Sequence, residues 1–313
     1  MSRLKRSYKY MHARLDGDIV EFKIKCDHMI YKYGQDYDKF VDILKETMPI
    51  FCRYDCFLNN TYADALLLYI CTRKMLDTVD SARLFEFSPF LGWSTYIMLR
   101  AIYDSGKDSK LISYELDKYR VASTSKHLDL VKDHIAFDSL ELIHGNALDG
   151  ICSLDDGSVD LMFVDSDHGY NFTKQYIAAG LFNKCKKSGF IHIHDFIFWM
   201  GKSSKSWRKK WQEPIAVTEH IMGNEHLFDG HCMGQISWLL GVKNTRDDLL
   251  RLRGLNDDTL KGDKSNYFVE RQYPLTYWLG GTISGINKDG VRKNKTRASG
   301  LALWMLPNSA FNE

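Results

Sequence analysis

The chain has neither a long apolar run nor a disulfide framework, and each absence excludes a class of protein. No stretch of about eighteen apolar residues is present and no apolar segment follows the basic N-terminal residues, so we expect neither a membrane span nor a secretory leader. The seven cysteines are odd in number and scattered. Cys52 and Cys56 have no second pair or histidines at zinc spacing. We therefore expect reduced thiols and a cytoplasmic location.

A strong excess of charge is also missing. The formal net charge of +2 over 313 residues does not favour a nucleic-acid partner. Internal repeats are absent, and a hydrophobic content of 44% can bury one sizeable core with additions, or two modest cores. We predict a helical N-terminal cap over residues 1–59, one catalytic domain over residues 60–242 and a C-terminal extension of unknown role over residues 243–313.

The chain is organised around residues 83–103, whose pattern predicts a buried strand, a tight turn and a helix. The apolar run ends at Ser88, which is followed by proline. Gly92 permits a sharp turn or a close approach to a ligand, and Ser94 or Thr95 can cap the following helix. A ligand can therefore bind at the N-terminus of this helix.

Four further apolar runs follow at the spacing of alternating strands and helices. They end at Glu115, His144, Val164 and His194. This alternation predicts an α/β fold with a doubly wound, mostly parallel, Rossmann-like sheet, whose ligands bind outside the carboxyl ends of the strands. A turn is expected at residues 187–189, a late strand at 235–242, and a hairpin-like or loose extension at 280–297.

The turn after the first strand distinguishes between nucleoside ligands. A dinucleotide fold uses several glycines to cradle a pyrophosphate, whereas Gly92 is the only glycine here and no Walker lysine follows. A ligand with a ribose and an adenine but no phosphate fits better, and S-adenosylmethionine is such a ligand. Glu115 would bind the ribose hydroxyls and Glu86 would face the cationic methionine part. For Glu86, an ion pair at the strand end is the alternative.

Carboxylates also follow the fourth and fifth predicted strands. Asp165 and Asp195 are expected to lie close together, and such a pair favours a hard cation such as magnesium. His168 is a candidate general base, and His194 is a candidate third metal ligand. Each of these residues also has a structural alternative. Asp165 can accept backbone hydrogen bonds, and Asp195 can cap the following segment. His168 and His194 can be hydrogen-bonded structural residues, in the turn and at the strand end respectively.

Asn146 follows the third strand and is placed to meet the edge of the adenine, with a turn role as the alternative. The predicted cofactor-binding residues are Glu86, Ser88, Gly92, Ser94, Glu115, Asn146, Ala147 and Asp165.

Five segments carry a family resemblance: LFEFSPFLGWST, SYELD, HGNALD, VDLMFVDSDHGY and SGFIHIHDF. In this order they resemble class I S-adenosylmethionine-dependent methyltransferases, from about residue 60 to residue 242. Within that class they are most similar to the group of the macrocin and mycinamicin sugar O-methyltransferases and the cephalosporin-hydroxylase-like proteins.

The resemblance also implies roles for individual residues. The group's metal-binding aspartate and the histidine three residues on fall on Asp165 and His168. Its two adjacent acidic ligands fall on His194 and Asp195, so one of them is replaced by histidine, a softer ligand than magnesium prefers. Two further departures are Ser88 in place of a common glycine and Asn146 in place of a common aspartate.

The resemblance implies a metal-assisted O-methyltransferase for a hydroxyl of a small molecule, with a sugar or glycoside as the expected acceptor. A nucleic-acid methyltransferase is one alternative, because residues 202–210 and 291–297 are basic and Trp207 and Trp211 can stack on bases. The other is a catalytically silent methyltransferase-like binding protein. The oligomeric state is open, with a homo-oligomer as one possibility.

Overall fold

The computed structural model describes residues 62–194, 213–224, 281–286, 292–297 and 300–304. The strands are β1 (Arg83–Phe87), β2 (Lys110–Glu115), β3 (Leu140–His144), β4 (Val159–Val164), β5 (Cys185–His194), β6 (Gly281–Ile286), β7 (Arg292–Arg297) and β8 (Gly300–Trp304). The helices are α1 (Tyr62–Asp77), α2 (Trp93–Ser105), α3 (Lys118–Asp129), α4 (Ala147–Cys152), α5 (Tyr170–Ala178), α6 (Leu181–Lys184) and α7 (Glu213–Gly223). Two short 3₁₀ helices, Lys132–His134 and Phe137–Ser139, precede β3.

A six-stranded sheet lies at the centre, in the order β3-β2-β1-β4-β5-β8. Strands β1 to β5 pair in parallel, and β8 runs antiparallel to β5. The strand order reverses between β1 and β4, which places the crevice for a ligand at the carboxyl ends of these two strands. The predicted doubly wound, mostly parallel sheet is confirmed.

Strand β8 comes from the segment that we expected to form only an extension. Its residue Gly300 pairs with His194, and Trp304 pairs with Phe190. Residues 243–313 therefore supply a strand of the central sheet. Strands β6 and β7 pair antiparallel, so the hairpin-like form is the one of the two expected forms that is observed for residues 280–297. The cap at residues 1–59 and the late strand at 235–242 lie outside the described residues, so the domain boundaries stay a prediction.

The centre of the sheet is buried on both faces, as parallel strands usually are. All six residues of β4 are buried. On one face Phe85 stacks on Tyr114 at 5.4 Å between ring centroids, and Phe87 meets the ring of Tyr176 from α5. The other face is covered by α2, whose first turn bonds to Glu86 of β1.

The register of the strands aligns residues in two rows on the α2 face, and all of them except Phe163 are polar. Ser113, Glu86, Phe163 and His192 are paired neighbours on β2, β1, β4 and β5. Two positions further along the chain come Glu115 and His194, the last residues of β2 and β5, and Ser88 and Asp165, the first residues after β1 and β4. Because side chains alternate with a period of two, the second row continues the first at the carboxyl edge.

Strand β5 begins earlier than the sequence indicates, since it starts at Cys185 and includes the residues expected to form a turn. Its register with β4 shifts between Val159 and Leu161. A Cβ on Gly189 would lie 2.7 Å from the carbonyl oxygen of Asp160, so glycine allows the two backbones to approach closely at this irregularity.

Candidate active site

The turn between β1 and α2 contains three residues with a positive φ angle. They are Ser88 at 58°, Phe90 at 55° and Gly92 at 92°. Only glycine adopts this region without steric cost, so the two side-chain-bearing residues hold the turn under strain. Gly92 is the N-cap of α2, and no side chain caps that helix. The prediction that Ser94 or Thr95 caps it is therefore wrong.

Both hydroxyls bond instead to Glu86, which is fully buried in β1. Ser94 donates to one carboxylate oxygen at 2.5 Å, and Thr95 and Ser113 donate to the other at 2.7 Å each. Burial raises the pKa of Glu86 to about 7, against the lowering effect of the three hydroxyls. Glu86 thus fixes the first turn of α2 through Ser94 and Thr95. Contact between Glu86 and the methionine part of S-adenosylmethionine stays a prediction.

Helix α3 packs directly on the same turn. The Thr124 hydroxyl donates to the carbonyl oxygen of Phe90 at 3.1 Å, and Nδ1 of His127 lies 2.9 Å from the carbonyl oxygen of Leu91. A Cβ on Gly92 would lie 3.0 Å from Cγ2 of Thr124. Gly92 is therefore required by both its φ angle and the close approach of α3.

Glu115 ends β2 beside this turn and is only 2% exposed. One oxygen accepts the backbone N–H of Asp117 at 3.0 Å, and the other accepts that of Phe90 at 3.2 Å. Nη1 of Arg120 lies 3.9 Å from the first oxygen, and the guanidinium carbon lies 4.7 Å from the centroid of the Phe90 ring. Arg120 thus lies beside both Glu115, the predicted ribose-binding residue, and the ring of Phe90.

Asn146 is the N-cap of α4, and its side-chain oxygen accepts the N–H of Leu148 at 3.0 Å. This is the turn role that we kept as the alternative. Asn146 is exposed, and Ala147 follows as the first residue of the helix. Contact of these two residues with an adenine stays a prediction.

The structure brings three of the predicted site residues together after β4 and β5. Oδ1 of Asp165 lies 3.1 Å from Nδ1 of His194 and 3.7 Å from Nε2 of His168. Burial acts to raise the pKa of Asp165, but the nearby His194 and His168 outweigh it and leave this pKa below its ordinary value. The cluster lies at the carboxyl edge of the sheet, beside the β1 turn.

The predicted metal ligands are only partly described. Asp165 and His194 are hydrogen-bonded to each other, and Asp195 lies outside the described residues. Within the described ranges, no group of three or more histidine, cysteine, aspartate or glutamate residues is arranged to hold a metal ion. Magnesium binding stays a prediction.

Sequence reasoning missed Glu213, the first residue of α7. Its Oε2 lies 2.8 Å from Nδ1 of His168, and its Oε1 accepts the hydroxyl of Tyr176 at 2.8 Å. Burial, followed by the charge of Glu213, raises the pKa of Tyr176 well above its ordinary value, so the phenol remains a donor. His168 and Glu213 are 45 positions apart, and no local pattern in the sequence would have linked them.

A family model is similar to the central part of the chain. Residues 89–196 match the family model described as a methyltransferase domain, which is about a third of the chain. No curated protein sequence matches the chain significantly. In the described part, no helix has the length and apolar character needed to cross a bilayer.

Similar solved structures include three methyltransferases. An O-methyltransferase of tomaymycin synthesis from Streptomyces achromogenes, in complex with S-adenosylmethionine, is 18% identical, with a TM-score of 0.44 over 57% of this chain and 77% of its own. An O-methyltransferase from Bacillus cereus is 15% identical, with a TM-score of 0.44 over 57% and 78%. A Podospora anserina methyltransferase is 16% identical, with a TM-score of 0.42 over 54% and 73%. Likeness at this level carries no argument about the substrate.

The family match spans the β1 turn, Glu115, Asp165, His168 and β5, which are the parts that form the candidate site. The part of the chain that forms the candidate site is therefore similar to a methyltransferase domain.

Proposed function

We propose that the protein is an S-adenosylmethionine-dependent O-methyltransferase that acts on a hydroxyl group of a small molecule. The observation that carries this proposal is the placement of Asp165 and His168 on one side of the β1 turn and of Glu115 on the other. An acidic residue that can bind a ribose and a histidine that can accept a proton thus flank the same turn.

The residues present fit this cofactor in their chemistry. Each oxygen of Glu115 accepts one backbone N–H and can accept one more hydrogen bond, as two adjacent ribose hydroxyls require. Arg120 and Phe90 must move aside for that contact. Asp165 supplies negative charge beside the turn, which suits a cationic sulfur. S-adenosylmethionine supplies an electrophilic methyl group on that sulfur.

His168 is the proposed general base. Its Nε2 faces Asp165, and a hydroxyl placed between these two side chains can give its proton to the imidazole as its oxygen attacks the methyl carbon. The resulting imidazolium lies between the carboxylates of Asp165 and Glu213, which stabilise its positive charge.

Assistance by magnesium is the second part of the proposal. Asp165, His194 and Asp195 are the proposed ligands, and a metal ion would replace the hydrogen bond between Asp165 and His194. Magnesium held there would supply a Lewis acid for the acceptor hydroxyl, and His168 would accept the proton of that hydroxyl.

The third part of the proposal is a sugar or glycoside as the acceptor. It rests on the resemblance of the strand-end segments to the macrocin and mycinamicin group. A cytoplasmic location and a homo-oligomer are likewise predictions from the sequence.

Two observations favour a silent, methyltransferase-like binding protein instead. Glu115 is 2% exposed, and two of the three positive φ angles in the turn belong to Ser88 and Phe90 rather than to glycine. A ligand that cannot displace Arg120 and Phe90 would leave the domain without its cofactor.

Calorimetric titration with S-adenosylhomocysteine, with and without magnesium, tests the proposal. We expect micromolar binding that Glu115→Gln weakens at least tenfold. Glu141→Gln is the matched control, since Glu141 is an exposed glutamate on the neighbouring strand β3. Absence of binding by folded wild-type protein in either buffer would leave the silent binding protein as the function. Once an acceptor is found, turnover that is unchanged by EDTA would remove magnesium from the mechanism.

A further inference from the structure

Three contacts tie Glu213 to the segment that follows β4. Its carboxylate bonds the His168 ring and the Tyr176 hydroxyl, each at 2.8 Å, and its backbone N–H donates to the carbonyl oxygen of His168 at 2.9 Å. Glu213 is 1% exposed and His168 is 8% exposed. Each oxygen of the buried Glu213 carboxylate thus accepts a hydrogen bond from a specific side chain, and one of these bonds fixes Nδ1 of His168.

We infer that Glu213 is a positioning residue that sets the orientation and tautomer of His168 for methyl transfer. This inference rests on the proposed function. A carboxylate accepts hydrogen bonds and cannot donate them, so Nδ1 of His168 carries the hydrogen. Nε2 is then the basic atom of the neutral ring, and it is the atom that lies 3.7 Å from Oδ1 of Asp165.

Orientation matters because only one ring nitrogen faces the site. In the proposed step the acceptor oxygen forms a bond to the methyl carbon and the carbon–sulfur bond breaks, leaving its electron pair on sulfur. The hydroxyl proton passes to Nε2 of His168, so atoms and charge balance. If Nε2 carried the hydrogen instead, the ring would present a donor to the hydroxyl and could not take its proton.

A purely structural role for Glu213 is the competing explanation, and the fold contains a matched comparison. Tyr170 of α5 donates to Glu219 of α7 at 2.7 Å, as Tyr176 donates to Glu213 between the same two helices. The Tyr170–Glu219 pair joins the helices just as the other pair does, but Glu219 is not bonded to the ring of His168. Substitutions at Glu219 and Tyr170 therefore serve as controls for the loss of a hydrogen bond between these two helices.

The first readout needs no substrate. In protein labelled with ¹⁵N-histidine, the signals of His168 are assigned by their loss in His168→Gln, and two-bond ¹H–¹⁵N spectra report which nitrogen carries the hydrogen. We expect the Nδ1–H tautomer in wild type and in Glu219→Gln, and its loss in Glu213→Gln, where the amide can donate to Nδ1. The same His168 signals in Glu213→Gln as in wild type would overturn the inference.

The second readout is turnover with an acceptor from the screen. We expect Glu213→Gln to lower kcat by about 100-fold, in the range for a lost general base, while the Kd for S-adenosylhomocysteine changes less than twofold. Glu219→Gln should change neither. A changed tautomer with kcat unaltered would also overturn the inference, whereas a wild-type protein that binds no S-adenosylhomocysteine would refute the proposed function and leave the first readout valid.

Should Glu213→Gln fail to fold by circular dichroism, Tyr176→Phe takes its place. It removes one of the two bonds that hold the Glu213 carboxylate, and Tyr170→Phe is its control. We expect a partial loss of the Nδ1–H tautomer and a smaller fall in kcat for Tyr176→Phe alone. Equal effects of the two tyrosine substitutions would overturn the positioning role.

Discussion

Arg120 lies over the ring of Phe90, with its guanidinium carbon 4.7 Å from the ring centroid, and its Nη1 lies 3.9 Å from Oε1 of the buried Glu115, so we call these two side chains the cover of Glu115. Phe90 comes from the β1 turn and Arg120 from α3, so the cover joins two elements. The side chain of Arg120 is 45% exposed, and an ion pair of this kind is worth at most about 1 kcal/mol. Opening the cover is therefore a small barrier to a ligand.

Removing this cover should speed the entry of the cofactor product. We expect Arg120→Ala to raise the association rate of S-adenosylhomocysteine by up to about fivefold, the equivalent of about 1 kcal/mol. Stopped-flow fluorescence provides the rate. Lys118→Ala is the control, because Lys118 also lies over a ring, that of Tyr119, at the start of the same helix. An unchanged or slower association for Arg120→Ala would contradict the prediction.

Glu86 should make the protein less stable as the pH rises towards neutrality. Its pKa is about 7 when folded, against 4.5 for an ordinary glutamate, because it is buried. The folded protein therefore keeps a proton that the unfolded chain releases between these two values. Glu86 therefore contributes on the order of 3 kcal/mol to the free energy of unfolding below about pH 4.5, and this contribution is lost by about pH 7.

Urea denaturation at several pH values between 4.5 and 7 checks this. We expect Glu86→Gln to remove most of the decline in unfolding free energy, and the exposed substitution Glu141→Gln to keep it. Parallel pH profiles for wild type and Glu86→Gln would show that the group does not titrate in this range.

The protein should be more stable with glycine in place of Ser88. Its φ angle of 58° costs a residue with a Cβ atom about 1 kcal/mol, and its backbone N–H, which donates to the carbonyl oxygen of Tyr114, is kept by the substitution. We expect Ser88→Gly to raise the free energy of unfolding by about that amount. Gly106, at φ 66° with open space around it, gives the reverse test: Gly106→Ala should lose a similar amount. A destabilised Ser88→Gly protein would indicate that the hydroxyl, rather than the backbone, decides the energy at this position.

Replacement of Gly150 by alanine should destabilise the protein. A Cβ there would lie 2.6 Å from the ring of Tyr114 and 2.9 Å from that of Phe85. Alanine normally favours a helix over glycine, but overpacking costs about 1–3 kcal/mol, so we expect a net loss in Gly150→Ala. Gly223→Ala, at the end of α7 with no atom within 4 Å, should not be destabilised. Equal midpoints of chemical denaturation for the two variants would refute the clash.

The parts of the fold that were predictable are those encoded by neighbouring residues. Strand β4 was predicted over its observed range, because its apolar run is continuous and ends abruptly in acidic residues. Asp165 and His168 follow from the same local pattern. The positions of Glu115 and His194 follow from the rule that parallel strands present their carboxyl ends at one edge.

The parts that could not be predicted depend on contacts between distant residues. Ser94 and Thr95 are good caps by local preference, but their hydroxyls bond the buried Glu86, which satisfies a carboxylate that would otherwise be costly to bury. Glu213 reaches His168 only because α7 packs on α5. No short-range pattern records such a contact. In the same way, nothing in the sequence of residues 300–304 indicates that β8 pairs with β5.

The antiparallel pairing of β8 with β5 has a consequence for synthesis of the protein on the ribosome. Strands β1 to β5 emerge in order, and β5 is then an edge with unpaired backbone groups beside the strand end that holds His194. That edge pairs with β8, which is translated much later, so the sixth strand cannot be added while β8 is still inside the ribosomal tunnel. The nascent chain would have to keep this edge from pairing with other chains until residues 300–304 emerge.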